Sequence, residues 1–587
     1  MKKLGLTILS CILGISVYAD AFQAVYVVKN NSFTKYNFGV AEDMVFFENG
    51  TKLCIKGYND IIDLNDIDYI TFEMPFLEGT LTPNEQKEKM LTIGQEAAEK
   101  IDPNLNAELL RMQNVFFESD NDASGNWHYA YADYDFPEEF TKIRGQKSNN
   151  VIAATIRAMA EAAQGNAAAV RSLKSRAVDL YRASDYYGIY TANDETETWD
   201  KTADAKYLEL RFADFKNGGV FSIKVTCSDD YTTWDTPDFV LQMPKTIAIT
   251  FSKDASQLAS ATLTTAIVSE QSINMDADVT LNGYRILNSL KINNSEINDN
   301  VEVLVDGSEK FITGNTTIKG KNLMVYDEMY DAIQESMHYH DEEGNCVGED
   351  PEMLISHFYR AEANVDILNK LQIKTRANGF QKIYKDLNVD SYVGSLSTDD
   401  YSINHSGKIV NREGNNSIIT VYYDDESIIE MWANTLNNYV DATFYYDGKP
   451  HAQGFIGMEI IPDDDEWTPW YDETYDTHAY TELNGFLVQV YRNIITENGN
   501  DIVYSNWYYN KYNYTNYEWE EVHVAEDTVF KPTTIITKES YITPTLIFPD
   551  RTSFIIEDFF DEDSFSKLIN DYEDIIDTYY SIIGDDK

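Results

Sequence analysis

At 587 residues, with 43% hydrophobic and 13% aromatic side chains, the chain holds material for several cores, and ~150 residues per domain makes about three or four units. Its formal charge of −52 repels phosphate backbones and anionic headgroups, which excludes nucleic acid and argues against peripheral membrane binding. The 41 tyrosines exclude an acidic disordered tail.

The predicted elements begin with an export signal. Lys2 and Lys3 precede an almost wholly apolar run over residues 4–17, and Val17-Tyr18-Ala19 suits a signal peptidase. A cut after Ala21 is a second option, so the mature chain is expected to begin at Asp20 or Phe22. The alternative is a lipoprotein modified at Cys11, after Ile8-Leu9-Ser10, but the apolar run continues to Val17 and would leave a hydrophobic mature terminus. Loss of Lys2 and Lys3 takes the charge from −52 to −54. No later apolar run reaches the ~18 residues of a membrane helix, so the expectation is a soluble product in the periplasm, envelope or exterior. Cys54, Cys227 and Cys346 remain, an odd set unlike a disulfide framework.

Residues 24–72 read as strands with an internal repeat. Val27-Val28-Lys29 leads to Asp43-Met44-Val45-Phe46-Phe47, as Cys54-Ile55-Lys56 leads to Asp68-Tyr69-Ile70-Thr71-Phe72, and the two halves are expected to pair into a small sheet. The box Leu64-Asn65-Asp66-Ile67-Asp68-Tyr69-Ile70-Thr71-Phe72, just after a signal peptide, resembles the start of many exported cell-envelope proteins of Bacteroidota. The next stretch, Leu81-Thr82-Pro83-Asn84-Glu85-Gln86-Lys87 opening a helix before a long antiparallel region, is similar to envelope proteins of the same bacteria. These resemblances imply an address and no functional residue.

Thr82-Pro83-Asn84-Glu85 combines a cap, a first-turn proline and a capping-box acid. Leu105, Leu109, Met112 and Phe116 then share one helical face, and Ala-rich helices are predicted over residues 151–163 and 167–181. From Lys206 the period falls to two: Leu208, Leu210 and Phe212, a turn at Asn217-Gly218, then Phe221, Ile223, Val225 and Cys227 make a hairpin, followed by a meander with turns at Asn282-Gly283 and Asp306-Gly307. Helices over residues 324–337 and 351–371 are expected to cover its apolar face. Strands return over roughly 381–548. A last helix, 563–583, with Phe565, Leu568, Ile569, Tyr572, Ile575, Ile576 and Tyr579 as its stripe, is expected to pack on the preceding sheet. The expected fold class is therefore α+β and multidomain: signal peptide 1–19, β module 20–78, helical domain 79–185, antiparallel β meander 186–322, helical pair 323–371, second antiparallel β region 372–562 and C-terminal amphipathic helix 563–587.

Candidate sites follow from residue type and spacing. Asp120, Asp122, Ser124 and Asn126 alternate as oxygen donors around Gly125, which suits Ca2+; position twelve is Tyr131, so Asp133 or Asp135 would have to supply the last ligand, and an ordinary polar turn explains the same residues. His338, His340, Cys346 and His357 lack the spacing of a known metal site and read as a structural loop. Asp465, Trp467 and Trp470 join carboxylates to aromatic rings, as glycan sites do, and Trp507, Tyr509 and Trp519 offer a stacking platform, although a polar loop and a plain hairpin also account for them. A basic island from Lys142 to Arg182 stands out, with docking on the acidic remainder preferred to an anionic partner. GxSxG, GxGxxG and HExxH are absent, and Gly314 to Asn322 departs from a phosphate loop. The leading expectation is an exported, non-catalytic envelope protein that binds a glycan or protein partner. Two alternatives stay open: a glycan-active hydrolase with paired carboxylates near Asp465, and a carrier of an apolar ligand on the curved meander.

Overall fold

A computed structural model describes residues 24–37, 43–58, 60–121, 124–135, 187–235, 240–269, 272–324, 339–340, 346–347, 352–391, 393, 407–449, 451–469, 479–497, 500–513 and 518–583. The signal segment, both Ala-rich helices, the basic island, Asp122, Trp470 and nearly all of the predicted 324–337 helix lie outside them. The described residues are mostly β, built around a large antiparallel sheet, with few helices.

The N-terminal strands form two sheets where one was expected. Ala24–Lys29 pairs with Ser32–Asn37 and with Tyr69–Thr71, while Lys52–Lys56 pairs with Asp60–Asp63 and with Asp43–Phe47. Each half thus gives its third strand to the other half's sheet. The reason is burial: Val25, Val27 and Tyr36 of one sheet close on Leu53, Ile55 and Tyr58 of the other, which a single flat sheet would leave in water. Asn30 and Asn31, at φ 51° and 54°, make the first hairpin turn, since a two-residue turn of this hand needs positive φ at both positions.

The large sheet has sixteen strands among the described residues, running from Thr198–Ala203 at one edge to Ser553–Ile555 at the other. All its pairings are antiparallel except that of Gly188–Asn193 with Leu208–Ala213. The expected hairpin pairs Leu210 with Ile223 and Phe212 with Phe221, and the expected turns hold at Gly283 (φ 77°), Asp306 (φ 51°) and Gly307 (φ 75°). Two apolar rows cross six consecutive strands: Ile273, Ile292, Ile297, Ile318, Ala361, Ala377, and Val279, Ile286, Val303, Ile312, Ile367, Leu371. The opposite face carries Asn298, Asn300, Asn315 and Thr317, bonded side chain to side chain at 2.5–3.0 Å.

Three expectations are corrected. The helix over 351–371 is confined to Glu352–Ile355; Phe358–Ile367 and Leu371–Asn378 are strands, because Ala361, Ala363, Val365 and Ile367 alternate into the apolar rows. Glu309–Gly320, Phe358–Ile367 and Leu371–Asn378 are consequently consecutive neighbours in one sheet. Within the region read as strands, Glu426–Tyr439 is a helix capped by Asp425, whose side chain accepts from Ser427 N at 2.9 Å, and Phe380–Leu387 is another. The C-terminal helix Glu562–Ile583 packs on the helices Pro83–Ala98 and Ala107–Phe117 instead of on a sheet. A methyl group at Gly94 would stand 2.7 Å from Leu568 Cδ2, so the absent side chain is what allows that approach.

Pro83–Ala98 starts with the predicted capping box. Together with Pro103–Asn106 and Ala107–Phe117 it runs along one row of hairpin turns. In helix order, Lys89 pairs with Asp447 and Glu96 with Lys370. Lys100 then meets Glu309 at 2.9 Å, its carbonyl accepts from the Tyr284 hydroxyl at 2.7 Å, Asn106 donates to Asn282 O at 3.1 Å, and Glu108 meets Lys253 at 2.7 Å. The strap fills its two ends. Ile93 packs with Phe444, Tyr446 and Phe548 at one, and Met112, Val115 and Phe116 pack with Trp199, Phe212 and Phe221 at the other.

Candidate ligand-binding face

A second sheet contains Asp465–Trp467, Thr534–Lys538, Ile418–Tyr422, Lys408–Glu413, Phe486–Glu497, Asn500–Asn513 and Glu518–Val524, with Ala479–Leu483 beside it. Its last three strands form a ribbon whose alternation divides the aromatic residues. Trp507 is opposite Val524 and Tyr509 opposite Val522, and these join Val488 and Val490 in a core where Trp507 is 2% exposed. Arg492 and Lys531 stand over the Trp507 indole, 5.1 and 5.5 Å from its centroid, and complete its enclosure. Trp507 and Tyr509 therefore anchor the ribbon and are not a platform, which corrects the expectation.

The other side of the ribbon carries a row of rings. Tyr508 pairs with Tyr491 on one strand and His523 on the other, with ring centroids 6.1 and 6.3 Å apart, so three rings make one row across the ribbon. Asn510 and Glu521 form the next pair on that face, and Trp519, 56% exposed, stands beyond them. Four residues of strand separate His523 from Trp519, roughly 13 Å at ~3.3 Å per residue. Burial raises the phenol of Tyr491, and burial followed by the charge of Glu521 raises that of Tyr508, so both are neutral at pH 7. Neutral rings with amide and carboxylate groups between them suit stacking on an uncharged ligand with hydroxyl groups.

The acidic segment belongs elsewhere on the sheet. Trp467 packs half-buried against Ile419, Val421, Tyr480 and Ile535, while Asp465 is exposed opposite Thr537. A shallow cleft of about 210 Å³ nearby is lined by Tyr422, Asp424, Glu426, Asp464, Lys538 and Glu539. Burial first, then Asp424, Asp463 and Asp465, pushes the Glu539 carboxyl above its ordinary range. A raised acid among other carboxylates is one half of a hydrolase arrangement. Trp467 packs toward the core instead of into the cleft, and Trp470 lies outside the described residues.

Among the described residues, the predicted metal ligands are not brought together. Asp120 and Asn121 pair with His128 and Trp127 in a short hairpin, and the Asp120 carboxylate is taken by Lys216. Burial opposes ionisation of Asp120, but the Lys216 ammonium and the Asn121 N–H outweigh it, so its pKa lies low. Ser124 and Asn126 are exposed in the hairpin loop and Tyr131 is fully buried, while the backbone of Asp135 is engaged by Glu197 and Trp199. His340 pairs with Cys346 in a two-residue ladder, and His357 bonds the Lys321 carbonyl through Nδ1 at 3.0 Å. Among the described residues no group of three or more His, Cys, Asp or Glu is placed to hold a metal ion. Nor is any helix among them long and apolar enough to cross a membrane, which leaves β-barrels unaddressed.

Tyr491 and His523 were not singled out from the sequence, and Tyr508 was read within the aromatic segment without its face. The signal was available: in Trp507-Tyr508-Tyr509 adjacent rings must face opposite ways, and the valines at 522 and 524 mark the inner parity. No protein-family model, curated protein or solved structure matches the chain.

Proposed function

We propose that this is an exported, non-catalytic α+β envelope protein that binds a neutral glycan on the outer face of the 486–524 ribbon. The observation that supports it is the row Tyr491, Tyr508, His523, continued by Trp519, on a hairpin fixed from beneath by Trp507 and Tyr509. Export and an envelope address rest on Lys2, Lys3, the apolar run to Val17 and the Asp66-Ile67-Asp68-Tyr69-Ile70-Thr71-Phe72 box that resembles Bacteroidota envelope proteins. The net charge of −52 favours a neutral ligand over an anionic one. The carrier alternative needs a hollow between strap and sheet, whereas both ends of the strap are filled by core side chains. An array of neutral and anionic glycans, probed with the parent and with Tyr508→Ala and Trp519→Ala, tests the reading. Each truncation should weaken neutral-glycan binding about tenfold, the ~1–1.5 kcal/mol scale of an aromatic contact, and binding that ignores both changes sinks it.

A further inference from the structure

A buried imidazole lies in the seam where the N-terminal module meets the large sheet. His451 is 2% exposed and neither ring nitrogen has a hydrogen-bond partner. It belongs to the connection between Val440–Tyr446 and Gly454–Pro462, and the backbone of Asn31, in the first hairpin turn, is the one group that favours a proton on the ring. Around it the connection clamps the link that leads to the strap. Lys449 Nζ donates to Gly79 O at 2.7 Å, Leu81 N to Gln453 Oε1 at 2.9 Å, and Gln86 Nε2 to Gln453 O at 2.9 Å. Asn31 and Glu78 bond each other at 3.1 and 3.2 Å, and Tyr26, Val28, Phe33, Leu77, Ala452 and Phe455 fill the apolar part of the seam.

The charged groups around this seam give the ring no counter-ion. On its own connection stands Lys449, a cation. On the link and helix, the Glu85 carboxylate is bound by Thr82 and Lys89 is paired with Asp447. On the hairpin, Lys29 is paired with Asp66 at 3.2 Å and Asp68 accepts from Asn30 N at 2.7 Å. The Glu78 side chain is exposed and does not bond the ring.

We propose that His451 is an acid-sensitive latch: neutral, it lets the 449–453 connection hold the 77–81 link and the Asn30-Asn31 turn, and its protonation opens that seam. A proton on the ring would place a second positive charge beside Lys449 in a buried site where only the Asn31 backbone favours it, and burial together with Lys449 outweighs that contact, so the cheapest escape is for the connection to swing the ring into water. Burial, then Lys449, holds the pKa below its ordinary 6.5. The opened state therefore binds the proton more readily than the closed one. The latch is fully closed above about pH 6.5 and loses stability as pH falls below it, by at most about tenfold per pH unit.

The test is amide hydrogen exchange of the full chain between about pH 7.5 and 5.5, corrected for intrinsic rates. Opening at residues 24–37 and 77–81 should rise steeply with acid in the parent and flatten in His451→Gln. A flat parent profile, or an unchanged slope in the variant, overturns the proposal. If His451→Gln does not fold, exchange of the imidazole C2 hydrogen in the parent protein reads the same group directly: slow exchange with a pKa below 6.5 supports the latch, and a pKa at or above 6.5 overturns it.

Discussion

Replacing Asp441 with alanine should loosen the docking of the N-terminal module by about 3–5 kcal/mol, the cost of leaving buried charges without their partner. Asp441 accepts from Arg376 Nη2 at 2.7 Å and from Asn37 Nδ2 at 2.7 Å, with Lys35 Nζ at 3.5 Å. Solvent reaches only 9% of the Asp441 side chain and 17% of Arg376, so the screening that weakens surface pairs is small here. Without the carboxylate, the Arg376 guanidinium, 4.6 Å over the Tyr58 ring, and the buried Lys35 ammonium face each other uncompensated. At ~1.4 kcal/mol per tenfold, the change amounts to roughly 10²- to 4 × 10³-fold. A chain with several cores is not expected to unfold in one step, so the suitable assay is hydrogen exchange at residues 24–37, with global melting as a control. Acceleration of less than about tenfold in Asp441→Ala would refute the reasoning. Changing Lys35, Arg376 and Asp441 together to Met, Met and Leu should recover much of the loss, because packed apolar groups replace buried ion pairs at little cost.

Trp507→Ala should destabilise the ribbon core by about 3–5 kcal/mol, whereas Trp519→Ala should leave stability within about 0.5 kcal/mol; equal effects in chemical denaturation would mean that the two faces are misassigned. Asp561 accepts from Ser564 N at 2.8 Å and pairs with Lys87, interactions that lower its pKa to about 2. Because the folded-state value is depressed, its contribution is present above the ordinary 3.8 and lost as pH falls toward about 2. Proteolysis of the C-terminal helix should accordingly gain an acid-induced step that Asp561→Asn abolishes, and an identical acid profile in that variant would count against it. With Lys216 on Asp120, calcium should not raise the melting temperature; a saturable rise removed by Asp120→Ala would instead establish an ion site at that hairpin.

The meander was legible in the sequence because its strands obey two local rules at once: alternation of period two, and Asn-Gly or Asp-Gly at turns that require positive φ. Thr82 to Glu85 was legible for a similar reason, since a capping box is complete within four residues. Phe358–Ile367 was misread because its Ala and Glu content favours a helix, and only pairing with Glu309–Gly320, remote in sequence, makes it a strand. The exchange of third strands between the N-terminal halves is equally non-local, for neither half shows which sheet its last strand joins. At the candidate face the aromatic content was visible, but the side of the ribbon was not. Trp507 looked like a ligand contact and is a core anchor, while Tyr508, one residue on, faces outward.

The most direct test of the glycan reading is the affinity of the double variant Tyr508→Ala/Trp519→Ala for whichever neutral glycan the parent binds, measured by calorimetry beside a melting curve. Binding about a hundredfold weaker is expected, from two contacts of ~1–1.5 kcal/mol each, with an unchanged melting temperature. A parent that binds no neutral glycan, or a stable double variant that binds as tightly as the parent, would contradict it.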